Sequence, residues 1–375
     1  MILRSISILN FKNIAEAALD FSENVNCFIG DNGMGKTNLL DAIYYLSFCK
    51  SHAGLGDAAL LRHDADFMLV QGHYSRRGQD EDISIGFKPG GSKRKSVKRG
   101  GKEYAKLSQH IGLLPVVMVA PSDWDLIRGT GEERRRFMDQ IIAQGDSEYM
   151  AHLIKYARAV ENRNVMIRRG FRDPLLFETI EHQLDVSATY IHDSRQQWVE
   201  TFSPIFLEYY RQISNSAETV SLSYRSHLNE KPMRQLLDCN RERDMVLGYT
   251  SAGVHRDDVE LLHGGYPMRK IGSQGQCKTY TVALRLAQYD FLKRTGGIAP
   301  LLLLDDIFDK LDAHRVENII SVVAGNTFGQ IFITDTNRTH LDRIIRRVGK
   351  DFSTWSVADG KFTLVESSGK EEESL

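Results

Sequence analysis

Gly30-Asp31-Asn32-Gly33-Met34-Gly35-Lys36-Thr37 has the spacing G-x-x-x-x-G-K-T of a loop that grips phosphate. Glycines let the backbone take bends that a Cβ forbids and approach an anion closely. The Lys36 amine can then reach the β- and γ-phosphates of a nucleoside triphosphate, and the Thr37 hydroxyl can ligate Mg²⁺. From average residue usage, the four fixed positions co-occur by accident in roughly one chain in a hundred of this length. The competing reading is an ordinary glycine-rich turn, and the flanks argue against it. Residues 25–29 read as a short buried strand, and Leu39, Leu40, Ile43, Tyr44 and Leu46 recur at helical spacing. Strand, loop and helix start together aim backbone N–H groups and the positive end of a helix dipole at one spot.

A nucleotide loop needs a second, carboxylate-bearing strand for the metal. Leu301-Leu302-Leu303-Leu304-Asp305-Asp306 offers four buried positions and then two acids at the strand's carboxyl end, where ligands gather in α/β sheets. Asp305 is expected to hold Mg²⁺ through water, and Asp306 stands where a general base orients the attacking water. Read alone, the segment could be a strand ending in a polar turn. Ser273-Gln274-Gly275-Gln276 lies about 30 residues earlier, ahead of a long helical pattern. It resembles the signature motif of ABC-type ATPases, whose Ser and Gly bind the γ-phosphate held by a partner subunit. By itself it would pass for a helix cap; its place between the two phosphate motifs argues for more. Lys310-Leu311-Asp312 matches the end of the ABC D-loop, with Asp309 in place of the usual serine. A signature motif lies too far from its own phosphate loop to complete that site. Two subunits must therefore pack head to tail with two ATP molecules between them, a switch worked by mass action.

Positioning these residues takes an α/β frame. Strands are expected over 2–9, 18–21, 25–29, 67–74, 82–88, 93–99, 102–107 and 116–119, with Gly100-Gly101 as a hairpin turn. From about 131 to 244 the pattern turns helical over 132–143, 147–169 and 174–214, broken by one strand over 219–224. Pro174 suits a first helical position, and Pro204 is expected to kink or restart its helix. An α/β pattern then resumes: helix 273–293, strand 300–304, helix 313–323, strand 330–334, helix 341–348 and two short strands. Residues 1–130 and 246–368 are thus assigned to one discontinuous head, 131–245 to an inserted helical lobe, and 369–375 to a disordered acidic tail.

A chain of 375 residues that is 42% hydrophobic and 26% charged has the composition of a soluble protein of two or three domains. Its N-terminus alternates like a strand rather than a secretory signal, and its strongly apolar runs, 298–304 among them, are far too short to span a bilayer. Cys27, Cys49, Cys239 and Cys277 show no C-x-x-C spacing and are expected to be reduced, which suits the cytoplasm. Net charge is −1, yet residues 88–106 alone carry +7 and leave −8 for the remainder. Such segregation is an electrostatic footprint. Lys93, Arg94, Lys95, Lys98, Arg99 and Lys102 could track DNA phosphates without reading sequence, or could form a merely solvated hairpin. Arg134-Arg135-Arg136 opens a helix, where cations oppose the dipole, and so calls for an acidic or phosphate partner. Arg168, Arg169 and Arg172 read as solvated helix-end charges. For His255 and Arg256, a dimer seam, DNA and a core hydrogen-bonding role are all open.

Over nearly its whole length the chain resembles the RecF family, built like a short-armed SMC protein. The resemblance rests on Ile6-Ser7-Ile8-Leu9-Asn10-Phe11-Lys12-Asn13, the loop followed by Asn38, Pro121-Ser122-Asp123, Gly129 and Arg134-Arg135-Arg136-Phe137-Met138-Asp139. Gly253-Val254-His255-Arg256-Asp257-Asp258, the signature and Asp305-Asp306 complete it. It implies an ABC-type P-loop ATPase head, with a mixed sheet and an antiparallel β subdomain, carrying an inserted helical lobe. It also implies ATP bound by Gly30 to Asn38 with Lys12 and Asn13, an ATP-dependent homodimer, and weak DNA-dependent ATPase activity. The implied work is with RecR and RecO, loading RecA at gapped or single-strand-containing DNA in recombinational repair and SOS induction. An ABC-transporter ATPase subunit and a passive ATP-holding DNA scaffold are the alternatives. Ser51-His52-Ala53-Gly54 replaces the family's Arg-Thr, Asp306 is a methylene shorter than the transporter glutamate, and Thr334-Asp335 stands where transporters have a switch histidine. The last two suggest slow turnover.

Overall fold

The apolar run Val25–Ile29 is strand β3, preceded by β1 (Ile2–Phe11) and β2 (Ile14–Asp20) and followed by helix α1 (Lys36–Phe48). The computed structural model describes residues 1–90, 94–171, 173–214, 218–309, 311–349 and 351–368. Next come α2 (Asp57–Leu60), β4 (Met68–Arg76), β5 (Gln79–Phe87), β6 (Lys95–Arg99), β7 (Lys102–Glu103) and β8 (Val116–Val119). Then follow α3 (Asp125–Arg128), α4 (Gly131–Gly145), α5 (Ser147–Arg168), α6 (Pro174–Ser214), β9 (Val220–Arg225), α7 (Met233–Leu247), β10 (Asp258–His263), β11 (Tyr266–Pro267) and α8 (Met268–Ile271). The chain closes with α9 (Gln274–Gly296), β12 (Leu301–Asp305), α10 (Ala313–Val323), β13 (Ile331–Asp335), α11 (Arg338–Val348), β14 (Phe352–Ala358) and β15 (Lys361–Ser367).

Two compact units result. The first gathers Met1–Asp123, Tyr209–Ser216 and Gln274–Leu375. It holds an antiparallel sheet ordered β2-β1-β4-β5-β6-β7 and a mixed sheet ordered β15-β14-β3-β13-β12-β8. In the mixed sheet every pairing is parallel except β14 with β15. Helix α1 packs against strands of both sheets, and its apolar residues lie on every side, so it is buried nearly all round. Strands buried on both faces need continuous apolar runs, which is why Leu301 to Leu304 can carry no polar position before Asp305.

Gly100 and Gly101 both take positive φ (52° and 76°) and close the β6–β7 hairpin, pairing Arg99 with Lys102. The strand expected over 102–107 ends after Glu103, and a short 3₁₀ turn follows at Leu107–Gln109. The Tyr104 N–H still bonds the Val97 carbonyl, the ladder goes no further, and the Tyr104 ring stands edge-on to His110. The expected acidic tail at 369–375 lies outside the described residues.

The second unit comprises Trp124–Glu208 and Ala217–Ser273. Helix α5 is capped by Asp146, whose carboxylate accepts the Glu148 and Tyr149 N–H groups. Helix α6 stays helical through Pro204. Buried Arg163 on α5 bonds Glu181 on α6 at 3.0 Å and Asp244 on α7 at 2.6 Å. Arg195 likewise joins Asp139 and Asp257. Strand β10 pairs antiparallel with β9 and β11 in a small sheet of this unit. Among the described residues no helix is long and apolar enough to cross a membrane.

Candidate nucleotide site

The loop between β3 and α1 bends at Gly33 (φ 83°) and Gly35 (φ 111°), conformations that a side chain would strain. Gly30 is needed for a different reason: a Cβ there would lie 2.3 Å from the Val357 carbonyl oxygen. Lys36 is buried, and its ammonium donates to the Gly30 and Asp31 carbonyls at 2.7 and 3.0 Å, so it curls back over the loop. Asp31, Asn32 and Gly33 are exposed, and Met34 is half-buried. The Met34 carbonyl accepts the Gly360 N–H at 2.8 Å, so the β14–β15 turn braces the loop from one side. Asn13 braces it from another: the Asn38 amide donates to Asn13 Oδ1 at 2.7 Å, and a Cβ on Gly35 would come within 3.0 Å of the Asn13 side chain.

Strand β13 lies between β3 and β12, and its register sets Thr334 opposite Asp305. Asp305 accepts from Thr37 Oγ1 at 2.9 Å and from Thr334 Oγ1 at 2.8 Å. Burial pushes its carboxyl up to about 6, partly opposed by the Thr334 and Thr37 hydroxyls. Asp306 follows in a left-handed conformation (φ 44°), uncommon for a non-glycine residue, and its N–H bonds Thr334 Oγ1 at 3.1 Å. Burial also raises the Asp306 carboxyl, while nearby Lys36 pulls it down. A hydroxyl and a poorly compensated buried carboxylate side by side are the oxygen donors that Mg²⁺ takes.

His340, Gly360 and Asp41 also join this region, and the sequence carried no signal for any of the three. Asp335, next to Thr334, bonds His340 Nδ1 at 2.8 Å, so a histidine arrives from α11 where none stands in the strand. Gly360 belongs to the β14–β15 turn just described. Asp41, a carboxylate amid the apolar residues of α1, is 2% exposed and sits 2.6 Å from Lys12 Nζ.

The signature residues open α9. Ser273 precedes the helix and is exposed like Gln274, whereas Gly275 and Gln276 are half-buried. Gly275 lies against the Arg315 guanidinium, and a Cβ there would come 2.6 Å from Arg315 Nη1. Asp312 caps α10 by accepting the Arg315 N–H at 2.9 Å; Lys310 lies outside the described residues.

The basic hairpin is not uniform. Lys93 lies outside the described residues. Lys95 points inward, 2.8 Å from Asp57 and over the Tyr45 ring at 4.6 Å. Arg99 forms a two-bond pair with Glu81. Arg94, Lys98 and Lys102 are exposed, with no ion pair to them among the described residues. In the second unit, Arg134 forks onto Asp258 at 2.7 and 2.9 Å, Arg135 donates to the Asp257 carbonyl and Arg136 pairs with Glu132. These are structural partners. His255 bonds the Tyr156 hydroxyl at 2.8 Å and the Thr250 carbonyl at 3.0 Å, a core role, and burial lowers it to about 4. Arg256 lies over the Tyr249 ring.

Residues 2–353 match the family model of the RecF/RecN/SMC N-terminal domain. The chain is 51% identical to the DNA replication and repair protein RecF of Parabacteroides distasonis, over 98% of this chain and 100% of the relative. It is 50% identical to the RecF of Bacteroides thetaiotaomicron, over 96% and 98%. Among solved structures, the recombination mediator protein RecF with ATP in the RecFOR pathway matches with a TM-score of 0.86 at 27% identity, covering 97% of this chain and 98% of that one. A Pyrococcus furiosus Smc head domain matches with a TM-score of 0.58 at 17% identity, over 97% and 96%, and shares the fold alone. The fold is that of an ABC-type ATPase head.

Proposed function

The chain belongs to the RecF family, and on that footing we propose that it is an ATP-driven DNA-binding protein of replication and recombinational repair. ATP is held by the loop from Gly30 to Thr37 with Asn38, Lys12 and Asn13, and Lys36 turns from the loop carbonyls to the β- and γ-phosphates. Thr37 and Asp305 would hold Mg²⁺, which when bound neutralises phosphate charge. Asp306 orients the attacking water, and its short side chain makes turnover slow. Two copies close on two nucleotides, each offering Ser273, Gln274, Gly275 and Gln276 to the other's phosphates. The closed dimer holds gapped or single-strand-containing DNA in the cytoplasm and, with RecR and RecO, favours RecA loading and SOS induction.

The observation that carries this reading is the meeting of Thr37 and Asp305 at 2.9 Å beside a glycine loop already bent for phosphate. Sedimentation of the purified chain with and without ATP and gapped duplex tests it. ATP should double the sedimenting mass, and the dimer should retain DNA. A chain that stays monomeric at saturating ATP would sink the switch.

A further inference from the structure

Asp41 lies five residues past Lys36 in α1, and its carboxylate is almost fully enclosed. Such a charge costs several kcal/mol unless it is paired and hydrogen-bonded. Three groups meet it. Lys12 Nζ lies 2.6 Å from Oδ2, the Ser51 hydroxyl donates to Oδ2 at 2.7 Å, and the His52 backbone N–H donates to Oδ1 at 2.7 Å. One carboxylate thereby ties the end of β1 and the turn after α1 to the helix that begins at the phosphate loop.

Lys12 is placed to matter for that loop. Its neighbour Asn13 bonds Asn38 and abuts Gly35, so the β1–β2 turn lies against the loop backbone. Lys12 itself takes a left-handed φ of 51°, which a non-glycine residue adopts where its surroundings impose it. An ammonium has three donors, so a bond to Asp41 leaves others for an anion. Without that anchor the flexible four-carbon stem is free to swing.

We propose that Asp41 is a positioning residue of the nucleotide site, holding the Lys12 ammonium where it meets the bound triphosphate. The proposal rests on reading Gly30–Thr37 as an ATP loop. Two residues that act through one interaction have non-additive effects when each is replaced, which a merely structural carboxylate would not reproduce.

The test is equilibrium titration of the full chain with a fluorescent ATP analogue, with thermal unfolding of each variant alongside. Asp41→Asn and Lys12→Ala should each weaken binding by about tenfold, the scale of one charge-assisted hydrogen bond. The double variant should bind no more weakly than the weaker single one. Ser51→Ala removes another partner of Asp41 but leaves Lys12 paired. Its affinity should stay within about twofold of wild type even where its melting temperature falls. Where Asp41→Asn does not fold, Asp41→Glu keeps the charge but shifts the carboxylate by a methylene, with the same weakening expected. Additive losses, or an Asp41→Asn chain that binds as tightly as wild type or tighter, overturn the proposal. Lys36→Ala, titrated in parallel, separates the two readings: if it too binds like wild type, the ATP loop itself is wrong.

Discussion

Thr37 Oγ1 lies 2.9 Å from both carboxylate oxygens of Asp305, joining residues 268 positions apart. One belongs to the first turn of α1 and the other to the end of β12; β13, between β3 and β12, adds Thr334 as a second donor. Two hydroxyls are weak compensation for an enclosed carboxylate, so its pKa rises to about 6 from 3.8.

That rise has a sign. The native state holds the Asp305 proton more tightly than the unfolded chain, so ionising it costs stability. The cost is about 3 kcal/mol above both pKa values and vanishes below them. In metal-free buffer, wild type should therefore gain stability relative to Asp305→Asn as pH falls from about 7.5 to 4.5, read by urea unfolding. A gap that does not change with pH would mean that Asp305 is not raised.

Lys36→Ala should abolish ATP binding, with at least about a hundredfold loss for the removal of a charge-assisted phosphate interaction from an enclosed site. Calorimetric titration measures it, with circular dichroism verifying the fold. Retained affinity would place the nucleotide elsewhere.

Ser273→Arg puts a bulky cation at the exposed start of α9. Each monomer should still bind ATP, while the ATP-induced dimer is lost. An unaltered dimer in sedimentation would remove the shared site.

The hairpin cations should separate into two kinds. Neutralising Arg94, Lys98 and Lys102 should flatten the dependence of log K for DNA on log salt, by roughly 0.9 for each DNA phosphate that the protein no longer neutralises. Lys95→Gln should instead destabilise the fold, since it leaves Asp57 without its cation. A salt slope indifferent to the first three would move the DNA surface off this hairpin.

Arg163→Met should destabilise the helical unit by roughly 3–5 kcal/mol, because Asp244 would stay buried without its cation and Glu181 would keep only Arg241. Chemical denaturation reads this directly. A loss under about 1 kcal/mol would mean that the site relaxes or admits water.

Much of the local geometry of the candidate nucleotide site was legible in the residues themselves. A glycine loop between an apolar strand and a helix is a local pattern, and so is an apolar run ending in two acids. Gly100-Gly101 likewise announced its own turn, because positive φ at two successive positions is a property of those residues. Signals of this kind act within a few positions, and the chain cannot hide them.

Partnerships across the chain were not legible. Lys95 and Arg99 looked like members of one basic stripe, yet Asp57, 38 positions away, takes the first and Glu81 the second. Arg134 finds Asp258 at a separation of 124. Asp41 among apolar neighbours gave no hint of Lys12, nor Asp335 of the histidine that reaches it from the next helix. Periodicity and turn chemistry state which residues are buried and where the backbone bends. Which acid meets which base depends on strand order and register, and those are settled only when the sheets assemble around α1.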